Sequence, residues 1–347
     1  MEKGKEYGSI SIGESYAIGK CLEIEKRFKA IKFEWFDTGN LNSLQIAKKQ
    51  FASSNAPQIL DKPNEAIWFV SGKAIKYNQD RDFISNRVLR SKKLKGFVPE
   101  IVQQRKNMYS YELITGNTIS DVTNEVIFEK LLIYLKDFWK EFKLNPIEKE
   151  EFNKKCLKFY KIKTIDRIKL FFNKYSENDN AEIINGVKIP KISEVLKLVD
   201  WNWLSDGKPS RFHGDLHFEN ILLSESGKFC LIDWRQDFEG LFDYGDLYYD
   251  LAKLMHGFII SHGIITKEHY YFEKTEEIIN FGFYRKNSLV ENENYFLEFI
   301  ENNLLSVLKV KILTSLVFLN IAALHHDPYS KLLFYLGKYN LYKLLKS

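Results

Sequence analysis

One stretch in the second half of the chain restricts its possible folds more than any other feature. Residues 211–223 read RFHGDLHFENILL, and residues 230–234 read CLIDW. Their apolar runs are short and are separated by the turn residues Ser226-Gly227-Lys228. Two such runs around a turn of this composition are typical of a β-hairpin. The sequence therefore predicts a hairpin that begins with a polar loop and ends at an acidic residue.

Three polar side chains are predicted to meet at one end of this hairpin. Asp215 and Asn220 lie in the loop before the first strand, and Asp233 follows the second strand. Two carboxylates and an amide carbonyl make an oxygen-rich site of the kind that Mg²⁺ prefers. One acid can hold the metal while the other orients a hydroxyl. Phosphoryl transfer needs this arrangement, because positioning and charge neutralisation carry most of its catalysis.

The pattern H-G-D-x-x-x-x-N followed by I-D-W resembles the aminoglycoside phosphotransferase and choline kinase superfamily, which is related to the protein kinases. The resemblance implies an α+β, two-lobed protein-kinase-like fold, with a small β-rich N-lobe and a larger, mostly α-helical C-lobe. It implies that Asp215 and His213 are residues of the catalytic loop. Asp215 would orient the acceptor hydroxyl, and His213 would brace the loop through a hydrogen bond. It also implies Asn220 and Asp233 as ligands of Mg²⁺.

A second hairpin is predicted near the start of the small lobe. The apolar run of residues 66–70 is a strand candidate, Ser71-Gly72-Lys73 is a turn, and residues 74–77 are the returning strand. The phrase Ala-Ile-Lys is similar to the V-A-I-K phrase of kinases. This similarity predicts that Lys76 binds the α- and β-phosphates of ATP, the alternative being a lysine on the surface of a strand.

Two features of the small lobe depart from the kinase pattern. The helix predicted over residues 80–94 contains no Glu that would pair with Lys76, and Asp82 and Asn86 are its nearest polar candidates. Residues 60–65, before the first strand, also lack a glycine-rich loop that would cover the phosphates.

The next strand resembles the hinge that joins the two lobes in this superfamily. Residues 109–119 read YSYELITGNTI, and Glu112 and Ile114 are predicted to lie beside the adenine of ATP. Gly116 would allow the chain to turn sharply into the larger lobe.

The resemblance predicts three parts in the chain. Residues 1–52 form an N-terminal extension, residues 53–115 the N-lobe, and residues 116–347 a C-lobe with a helical subdomain that shapes the acceptor pocket. Within the extension, residues 35–40 read WFDTGN and resemble the closing segment of sugar-nucleotide nucleotidyltransferases. No glycine-rich nucleotide-binding segment precedes this phrase, so nucleotidyl transfer is not expected.

The segment after the hairpin also resembles the superfamily. Residues 243–254 contain the phrase G-D-x-x-x-D-L-A, in which Asp246 is predicted to cap a helix and Asp250 to stabilise the catalytic loop. Arg235 stands where many relatives have an acidic residue. A positive group there leads to the hypothesis that an anionic or neutral sugar acceptor is preferred over an amine.

Composition excludes several other classes of protein. The chain has 347 residues, of which 45% are hydrophobic and 28% charged, so a large core can form. A net charge of +5 suits anionic nucleotides, and nothing indicates a nucleic-acid partner. The three cysteines, Cys21, Cys156 and Cys230, are typical of free thiols in a reducing cytoplasm. No signal peptide or membrane span is expected, since the most apolar late stretch, residues 312–324, is shorter than the roughly 20 residues required.

These observations predict an ATP- and Mg²⁺-dependent kinase, located in the cytoplasm, that acts on a hydroxyl of a small molecule. The nucleotidyltransferase-like phrase suggests, by analogy, a sugar or amino alcohol used for surface polysaccharide. One alternative is an antibiotic-modifying phosphotransferase, which would need an acidic pocket built from residues such as Asp237, Asp243 and Glu293. Another is a nucleotide-binding pseudokinase or scaffold. No protein partner can be predicted from the sequence.

Overall fold

The computed structural model describes residues 23–24, 64–260, 264 and 269–346. Residues 64–346, where described, lie within one compact unit, Asp61–Ser347. The predicted N-terminal extension lies outside the described residues, apart from Glu23 and Ile24. The predicted boundary at residue 53 lies outside them as well.

The first part of the unit is a four-stranded antiparallel sheet with one helix. Its strand order is β1-β2-β4-β3. The helix begins at Asp80, whose side chain accepts hydrogen bonds from the amides of Asp82 and Phe83. The elements are β1 (Glu65–Val70), β2 (Lys73–Asn78), α1 (Arg81–Lys93), β3 (Ile101–Arg105) and β4 (Met108–Glu112).

The second part is mainly helical but also contains short strands. Its first elements are β5 (Gly116–Thr118), α2 (Ile119–Val122), α3 (Glu125–Phe138), α4 (Pro146–Leu157), a π-helical turn (Lys158–Ile162), α5 (Lys163–Tyr175), β6 (Glu182–Ile184), β7 (Val187–Ile189), α6 (Ile192–Val195), α7 (Trp201–Ser205) and β8 (Pro209–Ser210). Its later elements are β9 (Ile221–Ser224), β10 (Phe229–Leu231), β11 (Gly245–Asp246), α8 (Leu247–Ile259), β12 (Tyr270–Thr275), β13 (Ile278–Phe283), α9 (Asn287–Asn302), α10 (Val307–Ala322) and α11 (Tyr329–Lys346). The predicted α+β class, with a β-rich first lobe and a larger helical lobe, is confirmed.

The hairpin predicted from residues 221–232 is present as β9 and β10. Leu231 lies opposite Ile221, and β5 joins the free edge of β9. Gly116 begins β5 so close to β9 that a Cβ atom there would lie 2.3 Å from the carbonyl oxygen of Leu223. Only glycine fits this approach, whereas the predicted lobe boundary at residue 116 stays a prediction.

A second four-stranded sheet in the larger lobe was not anticipated. Its order is β12-β13-β6-β7, and β13 runs parallel to β6 although they are about ninety residues apart. The sequence of residues 178–190 predicts a loop, and that of the region after residue 257 predicts helices. The three-residue strands β6 and β7 leave too little periodicity to recognise, and β6 pairs with a partner far away in the chain. The strands β12 and β13 have six residues each, and the prediction of helices there was wrong.

Two hydrophobic cores divide the unit. The first core contains residues of the first sheet, of helices α1, α2, α3, α8 and α9, and of the β9–β10 hairpin. Trp234 is fully buried in this core. The other joins α4, α5, α8, α10, α11 and the second four-stranded sheet. Helix α8 contributes to both cores and therefore has few solvent-exposed positions. Within the described residues, no helix is long and apolar enough to cross a membrane.

A buried arginine ties the small lobe to the loop that precedes β9. Arg90, on α1, is fully buried and donates hydrogen bonds to the carbonyl oxygens of Phe212 and Arg235. A third bond, of 3.2 Å, joins its Nε to the carbonyl oxygen of Phe242. Three backbone carbonyls that are remote in sequence thus depend on one side chain.

A buried carboxylate holds the same loop from the opposite lobe. Asp250, on α8, accepts hydrogen bonds of 2.7 Å from the amides of both His213 and Gly214. The indole Nε1 of Trp139 donates a third bond of 3.2 Å. The predicted role of Asp250 in stabilising this loop agrees with these contacts, as does the predicted cap by Asp246, which accepts from the amide of Tyr248.

His213 lies inside this loop as a neutral side chain. It is fully buried, and its Nδ1 accepts a hydrogen bond of 3.2 Å from the amide of Asp215. Burial, together with the positive charges of Arg90 and His217, lowers the pKa of His213 to about 3, although Asp215 acts in the opposite direction. The imidazole is therefore uncharged near neutral pH and keeps its hydrogen bond within the loop.

We expect Arg90→Met to lower the free energy of unfolding by at least about 3 kcal/mol, because three carbonyls lose their buried donor. Urea denaturation followed by circular dichroism measures the change. The control is Arg81→Met, an exposed arginine on the same helix, which should shift stability by less than about 0.5 kcal/mol. Equal losses in the two variants would contradict the role assigned to Arg90.

We expect stability to depend on pH through His213. Its pKa is lower in the folded chain than the ordinary 6.5, so the unfolded chain gains a proton first as the pH falls. The resulting loss begins near pH 6.5 and continues towards pH 3. Between pH 7 and pH 5 the wild type should lose about 2 kcal/mol more than His213→Gln. Urea titrations at both pH values test this, and parallel losses in both proteins would argue against a buried neutral imidazole.

Candidate active site

Asp215 lies at the centre of a small network of charged and polar groups. Its Oδ1 pairs with the amine of Lys253 at 2.8 Å, and its Oδ2 lies 3.7 Å from Nε2 of His217. The side-chain Nδ2 of Asn220 donates to the backbone carbonyl of Asp215 at 2.8 Å and to the Oδ2 of Asp215 at 3.3 Å. The structure therefore brings Asp215 and Asn220 together, as the spacing in the sequence predicts.

The charge state of Asp215 follows from this network. Burial alone would raise the pKa of its carboxyl, but Lys253 and His217 hold that pKa well below its usual range. The side chain is nevertheless 40% exposed. Asp215 is thus a carboxylate that can accept a hydrogen bond from a bound hydroxyl, yet it is too weak a base to remove a proton fully.

His217 is a cation in the same network. Its Nδ1 lies 2.8 Å from Oε2 of Glu219. Burial alone would lower its pKa, but the carboxylates of Asp215 and Glu219 raise the pKa of His217 to about 9. The structure thus pairs His217 with the two acids Asp215 and Glu219.

Asp233 marks the boundary between the two lobes. Its carboxylate forms an ion pair with Lys76 on β2, and its Oδ1 lies 3.2 Å from Nη1 of Arg87 on α1. Its backbone adopts a left-handed φ of 61°, which aspartate tolerates better than most residues. The following residue, Trp234, fixes this turn by donating from its indole to the carbonyl of Arg87 at 2.9 Å.

Asn220 and Asp233 provide oxygen atoms that suit a magnesium ion. They are adjacent across the hairpin, since the amide of Ile232 donates to the carbonyl of Asn220 at 2.9 Å. The Asn220 side-chain nitrogen is directed to Asp215, which leaves its Oδ1 as a possible ligand. No group of three His, Cys, Asp or Glu side chains that could hold a metal occurs in the described ranges. An amide and one carboxylate, completed by phosphate and water, are a set of ligands that Mg²⁺ accepts.

The predicted hinge residues lie in a different place. Glu112 and Ile114 line an open cavity of about 410 Å³ together with residues 99–102, at the β3 edge of the first sheet. Neither Lys76 nor Asp233 lines this cavity. The role of Glu112 and Ile114 beside adenine therefore stays a prediction.

The sequence does not single out two basic residues of the site, Lys253 and Arg87. Lys253 is on α8, one helical turn after buried Tyr249, and its side chain is only 7% exposed. Arg87 lies three residues after buried Ile84 on α1 and is 11% exposed. In both cases the signal is a cation on the apolar side of an amphipathic helix, where an unpaired charge would be costly. Asp82, one of the predicted partners of Lys76, is instead exposed in the first turn of α1.

Comparisons with solved structures find kinases of small molecules. The choline kinase LicA from Streptococcus pneumoniae is 16% identical, with 87% of this chain and 99% of that chain covered and a TM-score of 0.45. The ethanolamine kinase of Plasmodium vivax is 16% identical, with coverages of 88% and 89% and a TM-score of 0.42. The complex of gentamicin with APH(2″)-IIa is 12% identical, with coverages of 90% and 97% and a TM-score of 0.42. Curated proteins gave no match.

A family model gives the direct evidence from sequence. The model described as "Phosphotransferase enzyme family" matches residues 169–267. That segment contains Asp215, Asn220 and Asp233, together with Asp250 and Lys253. The predicted resemblance is thereby confirmed where the site is built, since this segment matches the model of that family.

Proposed function

We propose that the chain is an ATP- and Mg²⁺-dependent phosphotransferase that transfers the γ-phosphate to a hydroxyl of a small molecule. The observation that carries this proposal is the position of Asp215, Asn220 and Asp233 at one end of the β9–β10 hairpin, with Lys76 paired to Asp233 from the other lobe. This set offers a group that orients a hydroxyl, two oxygen ligands for a metal and a cation for phosphate.

Asp215 would position the acceptor. An ionised carboxylate with a lowered pKa accepts the hydrogen bond of the acceptor hydroxyl and directs its oxygen lone pair towards the phosphorus. Lys253 fixes the rotamer of Asp215 by pairing with its Oδ1. His213 and Asp250 keep the backbone of the loop in place. Orientation and fixed charge are thus the principal contributions of this loop.

The nucleotide side of the site contains two cations. Lys76 and Arg87 both pair with the carboxylate of Asp233, and phosphate oxygens carry charge of the same sign as that carboxylate. Both side chains are therefore suited to bind phosphates of ATP. Mg²⁺ held by Asn220 and Asp233 would neutralise charge on the same phosphates.

The described structure gives little support to a polyamine acceptor. The three acids considered for an antibiotic-binding pocket are engaged elsewhere. Asp243 pairs with Lys93 at 2.7 Å, Asp237 accepts from the amide of Gly240 at 2.9 Å, and Glu293 pairs with Arg285. We therefore favour a sugar or another hydroxylated metabolite as the acceptor over an aminoglycoside.

We expect Asp215→Asn to lower ATP turnover with a competent acceptor at least 10²-fold, on the order expected when the orienting carboxylate is lost. The assay follows ADP release over a panel of sugars, sugar acids, choline, ethanolamine and aminoglycosides. The control is Asp137→Asn, an exposed aspartate on α3, which should leave turnover unchanged. If the wild type binds ATP but phosphorylates nothing, and Asp215→Asn behaves identically, the chain is a nucleotide-binding scaffold.

We expect Arg87→Met to raise the Kd for Mg·ATP about 10-fold, because it removes one of two cations next to the phosphates. Isothermal titration calorimetry measures this affinity without any need for an acceptor. Arg81→Met lies on the same helix and is the matched control, expected to bind like the wild type. An unchanged Kd in Arg87→Met would mean that Arg87 only supports Asp233.

A further inference from the structure

A group of three basic side chains lies beside the catalytic loop, and we call it the basic cluster: Lys163, Arg167 and Arg235. Lys163 and Arg167 are one helical turn apart on α5, so their side chains share a face. The amine of Lys163 lies 4.0 Å from the centre of the Phe159 ring, and the guanidinium carbon of Arg235 lies 4.8 Å from the same centre. One buried ring therefore supports two of the three cations.

The basic cluster adjoins the residues around Asp215. The amine of Lys163 also lies 5.5 Å from the ring of Tyr249, which is one turn before Lys253 on α8. Lys253 in turn pairs with Asp215. On the other side, Arg235 packs so tightly on Gly214 that a Cβ there would lie 2.6 Å from Cβ of Arg235. The cluster thus adjoins the loop where an acceptor hydroxyl would be oriented.

The basic cluster forms no direct ion pair within the described part of the chain. There, no carboxylate oxygen lies within 4.0 Å of a side-chain nitrogen of Lys163, Arg167 or Arg235. The Nε of Arg235 donates only to the backbone carbonyl of Asp237, at 3.1 Å. All three residues are half-buried. Like charges that are held together in a partly dry site repel one another and favour the binding of an anion.

The electrostatics of Lys163 agree with this geometry. Burial lowers its pKa well below the ordinary value, and the nearby cations Arg235, Lys253 and Arg167 lower it further. Burial also lowers the pKa of Arg167, and the positive charge of Arg235 contributes to this decrease. Both side chains would therefore gain from a negative neighbour.

We propose that the basic cluster binds an anionic group of the acceptor, a phosphate or a carboxylate, while Asp215 orients a hydroxyl of the same molecule. This proposal rests on the proposed function. It makes the acceptor a hydroxy acid, a sugar acid or a sugar phosphate. The hydroxyl oxygen forms a bond to the γ-phosphorus, the bond from that phosphorus to the bridging oxygen breaks, ADP leaves, and the hydroxyl proton passes to solvent. The anionic group that binds to the cluster is chemically unchanged.

The test measures acceptor binding by calorimetry in the presence of Mg·ADP, so that it needs no turnover. The probes are glucose 6-phosphate and glucuronate as anions, glucose as their neutral counterpart, and glucosamine and choline as cations. We expect the wild type to bind at least one anion about 10-fold more tightly than glucose. The two anionic probes distinguish a phosphate-binding from a carboxylate-binding site.

The variants are Lys163→Gln, Arg167→Gln and Arg235→Gln, with Lys169→Gln as the control. Lys169 is an exposed lysine on α5 that lies 3.9 Å from Asp166. Each cluster variant should weaken anion binding about 10-fold and leave the affinity for Mg·ATP within about 2-fold, while Lys169→Gln binds like the wild type. Because each variant removes one of three repelling charges, urea denaturation should show stability close to that of the wild type.

Two results would overturn the proposal. One is that glucose, glucosamine or choline binds as tightly as both anions. The other is that the cluster variants bind anions as well as the wild type does. Either result would leave the proposed function intact if ATP turnover with some other hydroxyl compound still depended on Asp215. Loss of that dependence, with anion binding retained, would instead remove the proposed function.

Discussion

Two buried charges of opposite sign, Arg90 and Asp250, fix the backbone on which the site is built. Arg90 holds the carbonyl of Phe212 from the small lobe, and Asp250 holds the next two amides from the larger lobe. Burial raises the pKa of Asp250 to about 6 and lowers that of Arg90, so each charge depends on its hydrogen bonds. The loop that presents Asp215 is therefore held by packing and hydrogen bonds in both lobes and does not depend on its own short sequence.

This arrangement explains which parts of the molecule the sequence predicts. Asp215, Asn220 and Asp233 lie in one hairpin, and the spacing within a hairpin determines which residues meet. Helix α1, the β1–β2 pair and the cap by Asp246 were also predicted, because each follows from local periodicity or capping.

The remaining parts depend on contacts between distant segments. Arg87 on α1 contacts Asp233, which is 146 residues later in the sequence. Lys253 on α8 pairs with Asp215 in the loop before β9. In the second four-stranded sheet, the three-residue strand β6 pairs with β13, about ninety residues later in the chain. Arg235 was noticed as a departure from the usual acid, but Lys163 and Arg167 became its neighbours only because Arg235 packs on Phe159, one turn before Lys163. Local pattern thus predicts the candidate site residues in the hairpin, and tertiary packing supplies the cations around them.

The ion pairs of Asp233 also join the two lobes. Lys76 and Arg87 come from the small lobe and Asp233 from the large one, so one carboxylate holds both cations and links the two parts of the unit. Under the proposed function, phosphates that bind Lys76 and Arg87 would compete with this carboxylate, and the free energy of the new contacts would be partly offset by the pairs that are broken. Binding of such an anion would thereby be coupled to how firmly the two lobes are joined.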